Sequence, residues 1–137
     1  MSVAVFDANV IVKWYIAADP FFGAALEVQQ TYEGAAPALV QAEVANALWK
    51  YVRAGIVQLE DACEGVSVLA ELIDLTPDSE LLERAQRLSA DLDHPVYDCL
   101  YLALAQKQIC PLVTADKRLA EKARALDIAV EFIGSRS

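Results

Sequence analysis

Val3-Ala4-Val5-Phe6-Asp7-Ala8-Asn9 is the stretch whose reading decides the fold. Four strand-forming apolar residues run straight into a carboxylate and then an amide. A run this apolar suits the centre of a parallel sheet covered on both faces, and in open sheets of that kind ligands sit outside the carboxyl ends of the strands. Asp7 is therefore delivered to the end of the sheet where chemistry takes place. The plainer alternative is that Asp7 or Asn9 caps the helix that starts near Val10.

The chain downstream alternates short β-like runs with helical patterns, the signature of an α/β fold with a largely parallel sheet. The patterns predict a helix from Val10 to Ala17, broken at Ala18-Asp19-Pro20, and a second from Phe22 to Tyr32 that stops at Gly34. Ala36-Pro37-Ala38-Leu39 reads as a short strand, with Pro37 removing one ladder donor. Val40 to Ala54 is an amphipathic helix with Val40, Val44, Leu48 and Tyr51 on one face and Gly55 at its stop. Glu43, Asn46, Lys50 and Arg53 share another face.

Leu59 to Leu75 supplies a further helix, ended by Thr76-Pro77-Asp78, which otherwise forms a brief strand. Asp78 or Ser79 then caps a helix reaching Leu92, and Pro95 opens the next. From Val96 to Ala105 that helix carries one charge, Asp98, and is apolar nearly all round, so it is expected to be buried. Cys110 to Thr114 is another strand, Lys117 to Leu126 an amphipathic helix after Asp116, Ile128 to Ile133 a last strand, and residues 134–137 a tail.

At 137 residues the chain is read as one domain, 1–137, long enough to bury a core without disulfides. No apolar run approaches the roughly 18 residues of a membrane span. No basic segment precedes the first apolar run, so a secretory signal is not expected and the cytoplasm is. Cys63, Cys99 and Cys110 are odd in number with no C-x-x-C spacing, which reads as small buried hydrophobes rather than a zinc site. The net charge of -9 argues at first sight against a nucleic-acid partner. The distribution weakens that objection: between Glu60 and Asp93 stand ten acids and two bases, whereas the rest of the chain holds ten acids and nine bases.

Four acids stand out, Asp7 and Asp116 after strands and Glu43 and Asp98 on helices. Each has a second explanation. Asp116 can cap the helix after it, Asp98 can answer its helix dipole or pair with His94 four residues earlier, and Glu43 can be a surface glutamate. His94, the single histidine, reads as a capping or hydrogen-bonding residue rather than a ligand. Asp98 is the hardest to dismiss, because an isolated carboxylate in an apolar helix costs several kcal/mol unless something compensates it. Carboxylates without His or Cys suit hard cations such as Mg2+ and Mn2+.

Taken in order, VFDANV, QAEVANAL, HPVYDCLYLALA and LVTADKRL resemble the PIN-domain nucleases, and within them the compact bacterial toxin ribonucleases called VapC. The resemblance implies an α/β/α sandwich with a central, mainly parallel sheet. It places a metal-binding acidic set on Asp7, Glu43, Asp98 and Asp116, with Thr114 and Asn9 as polar supports; Asn9 fills a place often held by Ser or Thr. It further implies Mg2+- or Mn2+-dependent hydrolysis of RNA, a homodimer and a cognate antitoxin. Lys13, Lys50, Arg53, Lys117 and Arg118 are the RNA-contact candidates by nearness in sequence to the acidic motifs. Trp14, Tyr15 and Trp49 offer stacking surface or, alternatively, packing.

Competing readings are a housekeeping RNA-processing enzyme on the same fold, a receiver-type phosphoacceptor and a nonenzymatic binding module. A phosphatase with a first-strand nucleophile wants an Asp two residues after Asp7, where Asn9 stands.

Overall fold

The computed structural model describes residues 1–134, so of the expected tail 134–137 only Gly134 is seen and 135–137 lie outside the described residues. Five parallel strands form one sheet in the order β3-β2-β1-β4-β5: β1 (Val3–Phe6), β2 (Glu33–Pro37), β3 (Asp74–Thr76), β4 (Leu112–Thr114) and β5 (Val130–Phe132). Seven α-helices surround it: α1 (Ala8–Ile11), α2 (Phe22–Thr31), α3 (Val40–Arg53), α4 (Leu59–Leu72), α5 (Leu82–Leu92), α6 (Val96–Gln108) and α7 (Lys117–Ala125). The sheet grows from β1 in one direction through β2 and β3, then returns to β4 and β5 on its other side. Right-handed crossovers therefore put α1–α4 on one face and α5–α7 on the other, the expected three-layer sandwich.

β1 is the central strand, and Ala4, Val5 and Phe6 are all but inaccessible to solvent. Its register with β4 pairs Val5 with Leu112 and Phe6 with Val113. The order of the sheet reverses between these two strands, which makes the crevice at their carboxyl ends the natural binding position.

Several local expectations are corrected. The helix expected over Val10 to Ala17 is α1 followed by a 3-10 turn, Val12–Tyr15. The second strand begins at Glu33, ahead of the expected Ala36, and Gly34 lies inside it instead of stopping α2. A Cβ there would stand 2.5 Å from Ile73 Cδ1 and 3.2 Å from the Phe6 ring, so the missing side chain admits the neighbouring elements rather than ending a helix. Helix α4 ends at Leu72, not Leu75, because residues from Asp74 pair with β2. Asp78 does not cap α5: its carboxylate accepts the Leu39 backbone N–H at 3.1 Å, holding the start of α3, and no side chain caps Leu82. Cys99 is buried as expected, but Cys63 is exposed and Cys110 only half-buried. The last two strands are shorter than expected, each three residues.

Helix α6 carries the core beneath the site. Every residue from Cys99 to Ala105 is buried, as the uninterrupted apolar run requires, and only its first turn reaches the sheet's carboxyl edge.

Candidate active site at the carboxyl edge of the sheet

Asp7 leaves β1 with its N–H bonded to the Val113 carbonyl at 3.0 Å, and the residue is only 7% exposed. It occupies the position before α1 but makes no side-chain cap bond there. Its Oδ2 instead accepts the Thr114 hydroxyl at 2.7 Å. Thr114 is itself wholly buried at the end of β4, and its Oγ1 accepts the Asp116 backbone N–H at 3.0 Å. Asn9 completes the link, its Oδ1 accepting the Ala115 N–H at 3.1 Å. The two expected polar supports thus fasten the loop after β4 to the turn after β1.

Asp116 does cap α7, with Oδ1 accepting from the Arg118 and Leu119 N–H groups at 2.8 and 3.3 Å. It also lines the cleft described next, so its capping bonds do not withdraw it from that surface. Asp98 is not sealed in the core, as an apolar helix suggested. Its side chain is 30% exposed, and His94 Nε2 lies 2.8 Å from Oδ2. The imidazole behind it is buried, with Nδ1 lacking any partner among the described residues. Glu43 projects from the first turn of α3, where the Tyr101 hydroxyl donates to its Oε1 in a short hydrogen bond.

Asp7, Glu43, Asp98 and Asp116 all line one cleft of about 650 Å³, together with Asn9, Lys13, Asn46, Lys50 and Tyr51. The charges of Asp98 and Glu43 act on Asp7, and that of Asp98 on Glu43. Burial pushes the Asp7 carboxyl up to about 7; the Thr114 hydrogen bond opposes this, and the charges of Asp98 and Glu43 add to it. Glu43 is also raised, first by burial and then by Asp98 and Asp78, against the hydrogen bond from Tyr101. Burial and the neighbouring Asp7 and Glu43 carboxylates push the Tyr101 phenol far above its ordinary range, so it remains a proton donor.

Such a cleft gathers negative charge that a cation would relieve, and its donors are all oxygen, the choice of Mg2+ and Mn2+. Among the described residues no three His, Cys, Asp or Glu side chains stand close enough together, as placed, to hold a metal ion between them. An ion here would keep several waters in its shell, as Mg2+ does.

The expected RNA contacts divide. Lys13 and Lys50 line the cleft, Lys13 paired with Asp19 at 3.3 Å. Arg53 lies over the Trp49 ring at 4.9 Å, Lys117 borders a separate pocket with Arg124 and Phe132, and neither they nor Arg118 line the cleft. Trp14 is core, its Nε1–H donating to the Ala25 carbonyl at 2.9 Å, and the Tyr15 hydroxyl donates to the Gly65 carbonyl. Trp49 is half exposed beside an apolar groove between α3 and α4. Tyr101, Asn46 and Tyr51 were not expected at the site. The spacing of Tyr101 three residues after Asp98 was the available signal, since residues so spaced share a helix face.

The PIN domain family model matches residues 4–125. Ribonuclease VapC3 of Pyrobaculum aerophilum is 34% identical over 125 residues, covering 89% of this chain and 95% of that protein. A crystal structure from Pyrobaculum aerophilum superposes with a TM-score of 0.71 at 22% identity, over 94% of this chain and 83% of that one. Mycobacterium tuberculosis VapC20, described as a sarcin-ricin loop cleaving toxin, gives 0.67 at 16% identity, over 86% and 93%. A toxin-antitoxin complex from Klebsiella pneumoniae gives 0.65 at 20% identity, over 85% and 90%. The solved structures establish the shared fold. With the family model spanning nearly the whole chain and a relative of such identity aligned along almost its full length, this chain belongs to the PIN domain family, on its ribonuclease VapC branch.

Proposed function

We propose that this chain is a Mg2+- or Mn2+-dependent endoribonuclease, the toxin of a type II toxin-antitoxin pair acting in the cytoplasm. The observation that carries the reading is the meeting of four carboxylates from four separate elements in one cleft at the switch point of the sheet. Asp7, Asp98 and Asp116 would hold the cation directly or through water, and Glu43 would orient the attacking water or complete a second metal position. When bound, such a cation supplies charge neutralisation at the phosphodiester and acidifies water. Thr114 and Asn9 keep Asp7 and the β4 loop in place, and His94 keeps Asp98 turned to the cleft. Lys13 and Lys50 are the cations placed to meet RNA phosphates beside the acids. Single-stranded segments suit the site best, because unstacked bases can enter a cleft.

The relative's ribonuclease name and the toxin-antitoxin complex among the fold's neighbours support both the activity and an antitoxin partner. An exposed apolar groove of about 410 Å³ between α3 and α4 offers surface that a protein partner would cover. The family's homodimer and a single domain over 1–137 belong to the same proposal. No helix among the described residues is long and apolar enough to cross a membrane. The PIN fold leaves no place for the receiver-type alternative.

The test is incubation of purified protein with a mixed RNA pool in Mg2+ or Mn2+, then in EDTA, with mapping of the cut ends. Cleavage that needs the cation and disappears in Asp98→Asn is expected. Wild-type rates from Asp98→Asn would overturn the assignment. Growth arrest on expression, relieved by the cognate antitoxin, separates a toxin from a housekeeping nuclease.

A further inference from the structure

Glu43 differs from the other acids of the cleft in its attachment. Asp7 and Asp116 are short side chains at strand ends, fixed by Thr114 and by the first turn of α7. Glu43 is a longer side chain on a helix, free to sample several rotamers unless something holds it. What holds it is the Tyr101 hydroxyl, donated to Oε1 across 58 residues of sequence. Tyr101 is fully buried, and its ring is among the largest side chains in the core. Phenylalanine would fill the same space, so the hydroxyl is not required by packing. It sits one helical turn beyond Asp98 on the same helix, which places the anchor beneath the acid-bearing turn of α6.

We propose that Tyr101 is the positioning residue for Glu43, fixing its carboxylate with Oε1 engaged so that Oε2 is the oxygen left to the cleft. The inference rests on the reading of Glu43 as part of the metal-binding set. Tyr101 touches neither ion nor RNA; it acts through the glutamate. Partners of this kind typically cost roughly 10- to 100-fold in metal affinity or activity when removed.

The test compares full-length wild type, Tyr101→Phe, Glu43→Gln and the double variant. Mn2+ affinity is measured by calorimetry without RNA, and kcat and KM are measured on RNA. Tyr101→Phe is expected to keep its circular dichroism while losing roughly tenfold in Mn2+ affinity or kcat, with KM unchanged. The double variant should be no worse than Glu43→Gln alone, since the hydroxyl has nothing else to position. Tyr101→Met, which also lacks the donor, should behave as Tyr101→Phe does. Wild-type Mn2+ affinity and kcat in Tyr101→Phe, or losses that multiply in the double variant, would overturn the role. A wild type that binds no Mn2+ and cuts no RNA would overturn the metal reading and this one together. A wild type that does both beside an unaffected Tyr101→Phe would overturn this one alone.

Discussion

Thr114 and Asp7 lie 107 residues apart and are joined by a buried hydrogen bond of 2.7 Å between the ends of two neighbouring strands. The same hydroxyl oxygen accepts the Asp116 N–H, so one threonine orders two of the four carboxylates. Thr114→Val keeps the shape and removes both bonds. It should cost about 1–3 kcal/mol of stability, because buried polar groups lose their partners, and should weaken divalent-cation binding. Urea unfolding and a Mn2+ titration read the two effects.

Asp7 makes the metal-free fold pH-sensitive. Its pKa is about 7 folded, against about 3.9 in an unfolded chain, so the folded state holds the proton longer. The sign follows from linkage: stability falls as pH rises from about 4 to about 7, by a few kcal/mol, and is flat above. Melting in EDTA across that window should show the decline, Asp7→Asn should remove most of it, the remainder belonging to the raised Glu43 carboxyl, and Mn2+ should restore the wild type at high pH. A wild-type melting temperature that rises from pH 5 to 7 would contradict the assignment.

Asp116 and Asp98 should separate on stability while agreeing on activity. Asp116→Ala removes the cap of α7 and should cost about 0.5–2 kcal/mol. Asp98→Asn keeps a side chain of the same shape outside any cap and should unfold near the wild type. Both should lose cleavage. Denaturant midpoints measured beside RNA turnover distinguish the structural part of Asp116 from its part in the cleft.

Gly34→Ala tests the packing of the sheet away from the chemistry. The added methyl meets the end of the Ile73 side chain and the Phe6 ring, an overpacking that should cost about 1–3 kcal/mol. Activity per folded molecule should be unchanged.

The central strand, Asp7 and Asp98 were marked by local patterns, whereas Glu43 and Asp116 joined the set only through the family resemblance. Four apolar residues before Asp7 mark a covered strand, and an apolar helix with one carboxylate marks Asp98. The second strand was misplaced because Gly34 looks like a stop, whereas its role is close approach to side chains from β1 and the end of α4. Tyr101 was missed for a related reason. A tyrosine in an apolar helix reads as core, which it is, and nothing local says that its hydroxyl meets a glutamate from another helix. Arg53, Lys117 and Arg118 show the converse: nearness in sequence to an acidic motif did not bring them into the cleft, because each sits elsewhere on its helix.

The adjacency of β1 and β4 also sets when the site can exist. Asp7 is synthesised 107 residues ahead of Thr114, and Asp116 follows later still. A partly synthesised molecule therefore lacks both the threonine anchor and one of the carboxylates. Translation must therefore pass β4 before the product carries an assembled cleft.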